Sequence, residues 1–150
     1  MTEILIYKVQ GFLFNKTFPR LMETVLKNDY KIKVLCKNSD QMQKLDSLLW
    51  SFSSLAFIPH AMETDDYLSE QRLLLTIKEN YNPNNSDCLV LLKNVSCIEK
   101  IIHFKKILFI STDNLNEELT HFLSNIKEQK RYNCFLITQT ANEKWKKEIL

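Results

Sequence analysis

Few side chains in this sequence are of a type and spacing that could do covalent chemistry. His60, His103 and His121 lie far apart, and none stands at a metal-ligand spacing such as H-E-x-x-H. Glu63, Asp65, Asp66 and Glu70 form an acidic group that could hold a cation. A solvated loop is the simpler reading, because a hard cation needs converging ligands that spacing alone does not supply. Cys36, Cys88, Cys97 and Cys134 contain no C-x-x-C pair and sit in or beside apolar runs, which fits buried thiols in a reducing compartment. Gly11 is the single glycine of the chain. Loops that cradle phosphate need several, so neither a P-loop nor a dinucleotide fingerprint is available. No cofactor and no metal are expected.

Recognition chemistry has better material. Trp50 is followed by Phe57, Pro59 and His60, which gives an unusually apolar and aromatic segment for a loop. A histidine after a proline can also simply bond to backbone and fix a turn. A second group is basic: Lys127, Lys130 and Arg131, next to Tyr132, close a segment that opens with Asp113, Glu117 and Glu118. That polarity suits a helix dipole, and it also suits an anion-binding corner.

The elements that must position these groups follow from periodicity. Met42, Leu45, Leu49 and Phe52 recur at helical spacing behind Ser39, a suitable N-cap, and Trp50 falls outside their arc. Pattern alone leaves Trp50 either covered by the 57–60 loop or part of a contact surface. Ile4 to Val9, Ile32 to Lys37, Leu73 to Lys78, Cys88 to Leu92, Ile107 to Ser111 and Cys134 to Thr138 read as strands. A helix is expected to start at Thr17-Phe18-Pro19, with Leu21, Met22, Val25 and Leu26 on its apolar face, and to end at Asn28-Asp29. Val95 to Phe104 reads as a helix with Ile98, Ile101 and Ile102 inward. Asn114 and Glu117 make a capping-box-like start for a helix running to about Lys130, and a short terminal helix is expected around Trp145. Alternating strands and helices with short connections predict a single three-layer α/β domain over residues 1–150. Its central sheet should be mostly parallel, Rossmann-like but without a nucleotide-binding loop.

Composition sets the class. An apolar fraction of 45% and a charged fraction of 25% are those of an ordinary globular protein. A net charge of +2 is too small to argue for sequence-independent nucleic-acid binding, though it leaves room for a local basic pocket. The start lacks the basic region of a signal peptide, and Ile101 to Ile110 is broken by His103, Lys105 and Lys106, so a cytoplasmic protein without a membrane span is expected.

The pattern made by Leu45-Asp46, Leu49-Trp50, Phe57 and Pro59-His60 resembles the chi subunit of the bacterial DNA polymerase III holoenzyme. A strand-like segment after Lys130-Arg131-Tyr132 and a late Trp145 are similar to the end of that subunit. The likeness covers most of the chain as an order of elements. At residue level it rests on Leu45–His60 and more loosely on Leu115–Trp145, and nothing specific matches between Met62 and Ser86. The resemblance implies a non-catalytic accessory protein linking the clamp loader to DNA coated with single-stranded DNA-binding protein (SSB). It implies that Trp50, Phe57, Pro59 and His60 form the surface for the psi subunit or an equivalent partner. It further implies that Lys127, Lys130, Arg131 and Tyr132, with Leu115 as apolar neighbour, receive the acidic C-terminal tail of SSB. DNA would then be reached only indirectly.

Two rivals make different demands. A small doubly wound enzyme, a nucleotide-dependent transferase or hydrolase, would need the glycines and catalytic cluster that are missing. A direct nucleic-acid-binding module would need aromatic residues along a basic groove, and the linear sequence displays none.

Overall fold

The computed structural model describes residues 2–52, 58–112, 117–128 and 132–150, with the backbone alone for 127 and 128. Its strands are β1 (Glu3–Lys8), β2 (Ile32–Leu35), β3 (Ala61–Met62), β4 (Leu73–Thr76), β5 (Cys88–Leu91), β6 (Lys106–Ser111), β7 (Asn133–Gln139) and β8 (Trp145–Ile149). Its helices are α1 (Phe14–Lys27), α2 (Ser39–Ser51) and α3 (Glu117–Glu128). The strands make one sheet in the order β3-β4-β2-β5-β6-β1-β7-β8, in which only β8 runs antiparallel to its neighbour.

Strand alternation divides the core in two. Leu5, Ile32, Val34, Val90, Leu108 and Ile110 face one side, where Phe18, Met22 and Leu26 of α1 and Met42, Leu45 and Leu49 of α2 cover them. Ile4, Ile6, Leu35, Leu91, Ile107 and Phe109 face the other, under Val95, Ile98, Ile101 and Phe104 and under Leu119, Phe122 and Ile126 of α3. Central strands buried on both faces must be apolar throughout, which is why they read as continuous runs. The expected three-layer α/β architecture with a mostly parallel sheet is the one observed.

Several local expectations need correction. α1 begins at Phe14, after a 3-10 turn at Gly11–Leu13, so Pro19 lies inside the helix rather than at its first turn. Phe14 and Phe18 stack with centroids 5.4 Å apart, and the apolar face continues through Phe18 and Met22; burying that face outweighs the one hydrogen bond proline removes. Thr17 is buried and accepts a bond from Gln139 Nε2 instead of capping the helix. The N-cap of α2 is Asn38, whose side chain accepts from Gln41 N, and Ser39 is the first helical residue. Val95 to Phe104 contains only a 3-10 turn at Ile98–Lys100. Ile98, Ile101 and Phe104 repeat every third residue, the period of that tighter helix, while Ile102 is partly exposed. The segment around Trp145 is a strand, not a helix. A turn with Glu143 at φ 63° returns the chain onto β7, and Trp145, Lys147 and Ile149 alternate with Lys146 and Glu148 across the two faces of an exposed edge strand. The capping pair Asn114 and Glu117 lies partly outside the described residues.

Candidate interaction surfaces

α2 places its site by simple arithmetic. Met42, Leu45 and Leu49 point into the core, which turns Asp46 and Trp50, four residues apart, to the flank beside the segment entering β3. Trp50 is 59% exposed. Against it lies the covered ring of His60, with centroids 5.0 Å apart and planes inclined at 62°. His60 Nδ1 is 2.7 Å from the Ile58 carbonyl oxygen, which can only accept, so this nitrogen carries hydrogen. The other nitrogen, Nε2, lies 3.1 Å from Asp46 Oδ1 without making a hydrogen bond. Ile58 is buried beside it, and Pro59 is half-buried.

The arrangement is a clamp. Asp46 and Trp50 of one helix flank the imidazole, and the imidazole bonds its own loop. One face of Trp50 is therefore fixed while much of the ring stays in solvent. Of the predicted surface the structure brings together Trp50 and His60, with half-buried Pro59 next to His60 in the chain, and the covered His60 ring acts as a support. Phe57 lies outside the described residues. The sequence reading gave Asp46 no place beside His60. Its signal was the i, i+4 spacing to Trp50.

The basic corner is described only in part. Lys127 falls within α3, but its side chain, like Leu115, Lys130 and Arg131, lies outside the described residues. Tyr132 is half-buried and packs on the core layer beneath α3. Glu117 and Glu118 occupy the first turn of that helix, where the dipole favours them. Of the acidic group, Asp65 accepts from Met62 N and Glu63 from Ile77 N, and Glu63 also pairs with Lys78. These carboxylates serve turns, and no group of potential metal ligands occurs among the described residues.

The family model described as "DNA polymerase III chi subunit, HolC" matches residues 1–133. A relative described as "Probable DNA polymerase III subunit chi", from Rickettsia prowazekii (strain Madrid E), is 30% identical over 155 aligned positions, covering 98% of this chain and 92% of the relative. The chain belongs to the chi subunit family of DNA polymerase III.

Chi-family membership makes it an accessory subunit of the replicative polymerase. In this chi-family chain a crevice opens at the carboxyl ends of the strands, where open α/β sheets usually bind ligands. It is a cleft of about 220 Å³ lined by Gly11, Phe14, Asn15, Lys37, Gln41 and Ser111 among others. At the start of α2 the Gln41 N–H goes to Asn38 Oδ1 and the Lys37 N–H to Gln41 Oε1, so these donors are already spent within the protein. No helix among the described residues is long and apolar enough to cross a membrane.

Proposed function

We propose that this chain is a non-catalytic adaptor, a single cytoplasmic domain over residues 1–150 that bridges the clamp loader to SSB. The Trp50 edge, with Pro59, Phe57 and the supporting His60, holds the psi subunit or an equivalent clamp-loader protein. Lys127, Lys130, Arg131 and Tyr132, with Leu115, receive the acidic C-terminal tail of SSB. The observation that carries this reading is the exposed indole of Trp50 braced by a buried histidine, on a chain of the chi family. Large aromatic side chains presented rigidly are what protein interfaces use as anchors. A basic corner suits a short acidic peptide, for which charge pairing and one apolar anchor must supply most of the affinity.

Fluorescence anisotropy with a labelled SSB tail peptide tests the second surface. Binding should weaken as salt rises, since exposed pairs are screened over a Debye length of about 8 Å at physiological ionic strength. Reversing charge at Lys127, Lys130 and Arg131 together should abolish it while leaving capture of the clamp-loader partner intact. Unchanged tail affinity in that triple variant would reduce the cluster to a complement of its helix dipole.

A further inference from the structure

The fold joins two segments more than a hundred residues apart into a surface the sequence does not display. β8 is the outermost strand, and its residues are exposed. Trp145 heads it and stands edge-on to Tyr7, centroids 5.7 Å apart and planes at 89°, with 43% of the residue in solvent. Two positions on, Lys147 lies over the Phe135 ring at 4.3 Å. Trp145, Lys147 and Ile149 thus share the sheet face that carries α1. Across a cleft of about 190 Å³ from Trp145, α1 contributes Lys16 and Arg20.

This surface is rigid. Gln139 Oε1 accepts from Gln10 N, the Gln139 carbonyl accepts from Gln10 Nε2, and Gln139 Nε2 donates to Thr17 Oγ1, which ties the end of β7 to the start of α1. Lys16 bridges to Glu143 at 2.7 Å, which holds that carboxyl below its usual range and neutralises the acidic side chain facing the cleft. Arg20 makes no side-chain hydrogen bond or ion pair among the described residues. With Lys16 and Glu143 cancelling, Arg20 and Lys147 leave the face positively charged beside the Trp145 ring, and cations beside exposed rings are the requirements of a stacking platform.

We propose that the face formed by Trp145, Lys147 and Arg20 binds single-stranded nucleic acid directly, Trp145 stacking on a base and the two cations pairing with phosphates. The four-residue step from Trp145 to Ile149 spans about 13 Å, enough for a few nucleotides. An acidic peptide would satisfy the cations but meets the indole only if it carries an aromatic side chain, whereas every nucleotide brings a ring. This inference goes beyond the adaptor reading, which reaches DNA only through SSB, and depends on neither of that reading's surfaces.

The test is anisotropy of the full chain with fluorescein-labelled oligothymidylate at several salt concentrations. Binding should fall steeply with salt. Trp145→Ala should weaken it by roughly 5-fold to 150-fold, from ~1–3 kcal/mol per stacked base. Arg20→Glu with Lys147→Glu, both at exposed positions and so tolerated by the fold, should remove it. Trp50→Ala should leave it unchanged, which separates this proposal from the adaptor reading. Absence of binding by the unsubstituted chain at low salt would overturn the proposal. So would binding indifferent to Arg20→Glu/Lys147→Glu, or preferential capture of an acidic peptide at these residues.

Discussion

Replacing Trp50 by alanine separates folding from recognition, because the indole divides its surface between them. Roughly two fifths of Trp50 is already covered, against His60 and its own helix, and the rest is in solvent. A tryptophan offers roughly 150–250 Å² in all, so ~60–100 Å² is used in folding and ~90–150 Å² remains for a partner. At about 25 cal/mol per Å² the covered part is worth at most ~1.5–2.5 kcal/mol of stability, an upper bound because unfolded chains also bury some surface. The exposed part is worth ~2–4 kcal/mol to a partner that covers it, about 30-fold or more in affinity. Denaturant unfolding of the isolated protein and titration against the clamp-loader partner measure the two quantities on the same variant. The expected result is a loss in binding larger than the loss in stability. If the variant unfolds several kcal/mol more easily while partner affinity changes less than threefold, Trp50 is core and the recognition argument fails.

Lys33 offers a pH test. It is buried in central strand β2 beside a cleft of about 380 Å³, donates to the Glu79 carbonyl, and burial lowers its pKa to about 8, partly opposed by Glu79. The unfolded chain therefore binds the extra proton between about pH 8 and its ordinary 10.5, so stability should rise with pH across that window. Lys33→Met should remove the rise and stabilise the protein near neutrality by roughly 1–3 kcal/mol in urea titrations, and an unaltered pH profile would refute the assignment. The cysteines should separate in a thiol-reagent time course at pH 8. Burial pushes Cys36 and Cys88 up to about 12 and Cys134 to about 11, so half-exposed Cys97 should react first, and prompt reaction of several thiols in the native state would contradict this packing.

What could be read from the sequence was whatever a single segment decides. β5 and β6 are apolar on both faces because helices or turns cover both, and that leaves a run visible in any window. β8 was hidden because its companion β7 settles its conformation. Trp145 to Ile149 carries a polar, lysine-rich pattern, and the preceding turn, Thr140 to Glu143, contains neither glycine nor proline. Pro19 misled for a similar reason, since its local cost was visible but the Phe14–Phe18 stack that repays it depends on the sheet beneath. At the candidate site, Trp50 was legible from helical phase. The place of Asp46 beside His60 was not, because it joins a helix to a loop fourteen residues away. Lys33 was invisible for a different reason: a lysine within Ile-Lys-Val-Leu counts as one polar residue in a strand until the sheet places it at the centre.

The order of the strands bears on the proposed adaptor role. A bridge must present surfaces too far apart for its partners to compete, on a scaffold that does not yield between them. The Trp50 clamp sits where the chain enters β3, an outer strand of the sheet, and Tyr132 of the proposed tail surface leads into β7 near the other edge. Six inter-strand steps of about 4.8 Å put roughly 29 Å between β3 and β7, several times the reach of any side chain. The strands between them are nearly dry on both faces, so binding at one edge has little freedom to distort the other. A doubly wound enzyme concentrates its chemistry in the central crevice, where this chain has one glycine and donors already engaged. Recognition moved to the edges of such a sheet makes partner binding independent, and in the Trp50→Ala variant nucleic-acid binding and SSB-tail binding should both survive the loss of the clamp-loader partner.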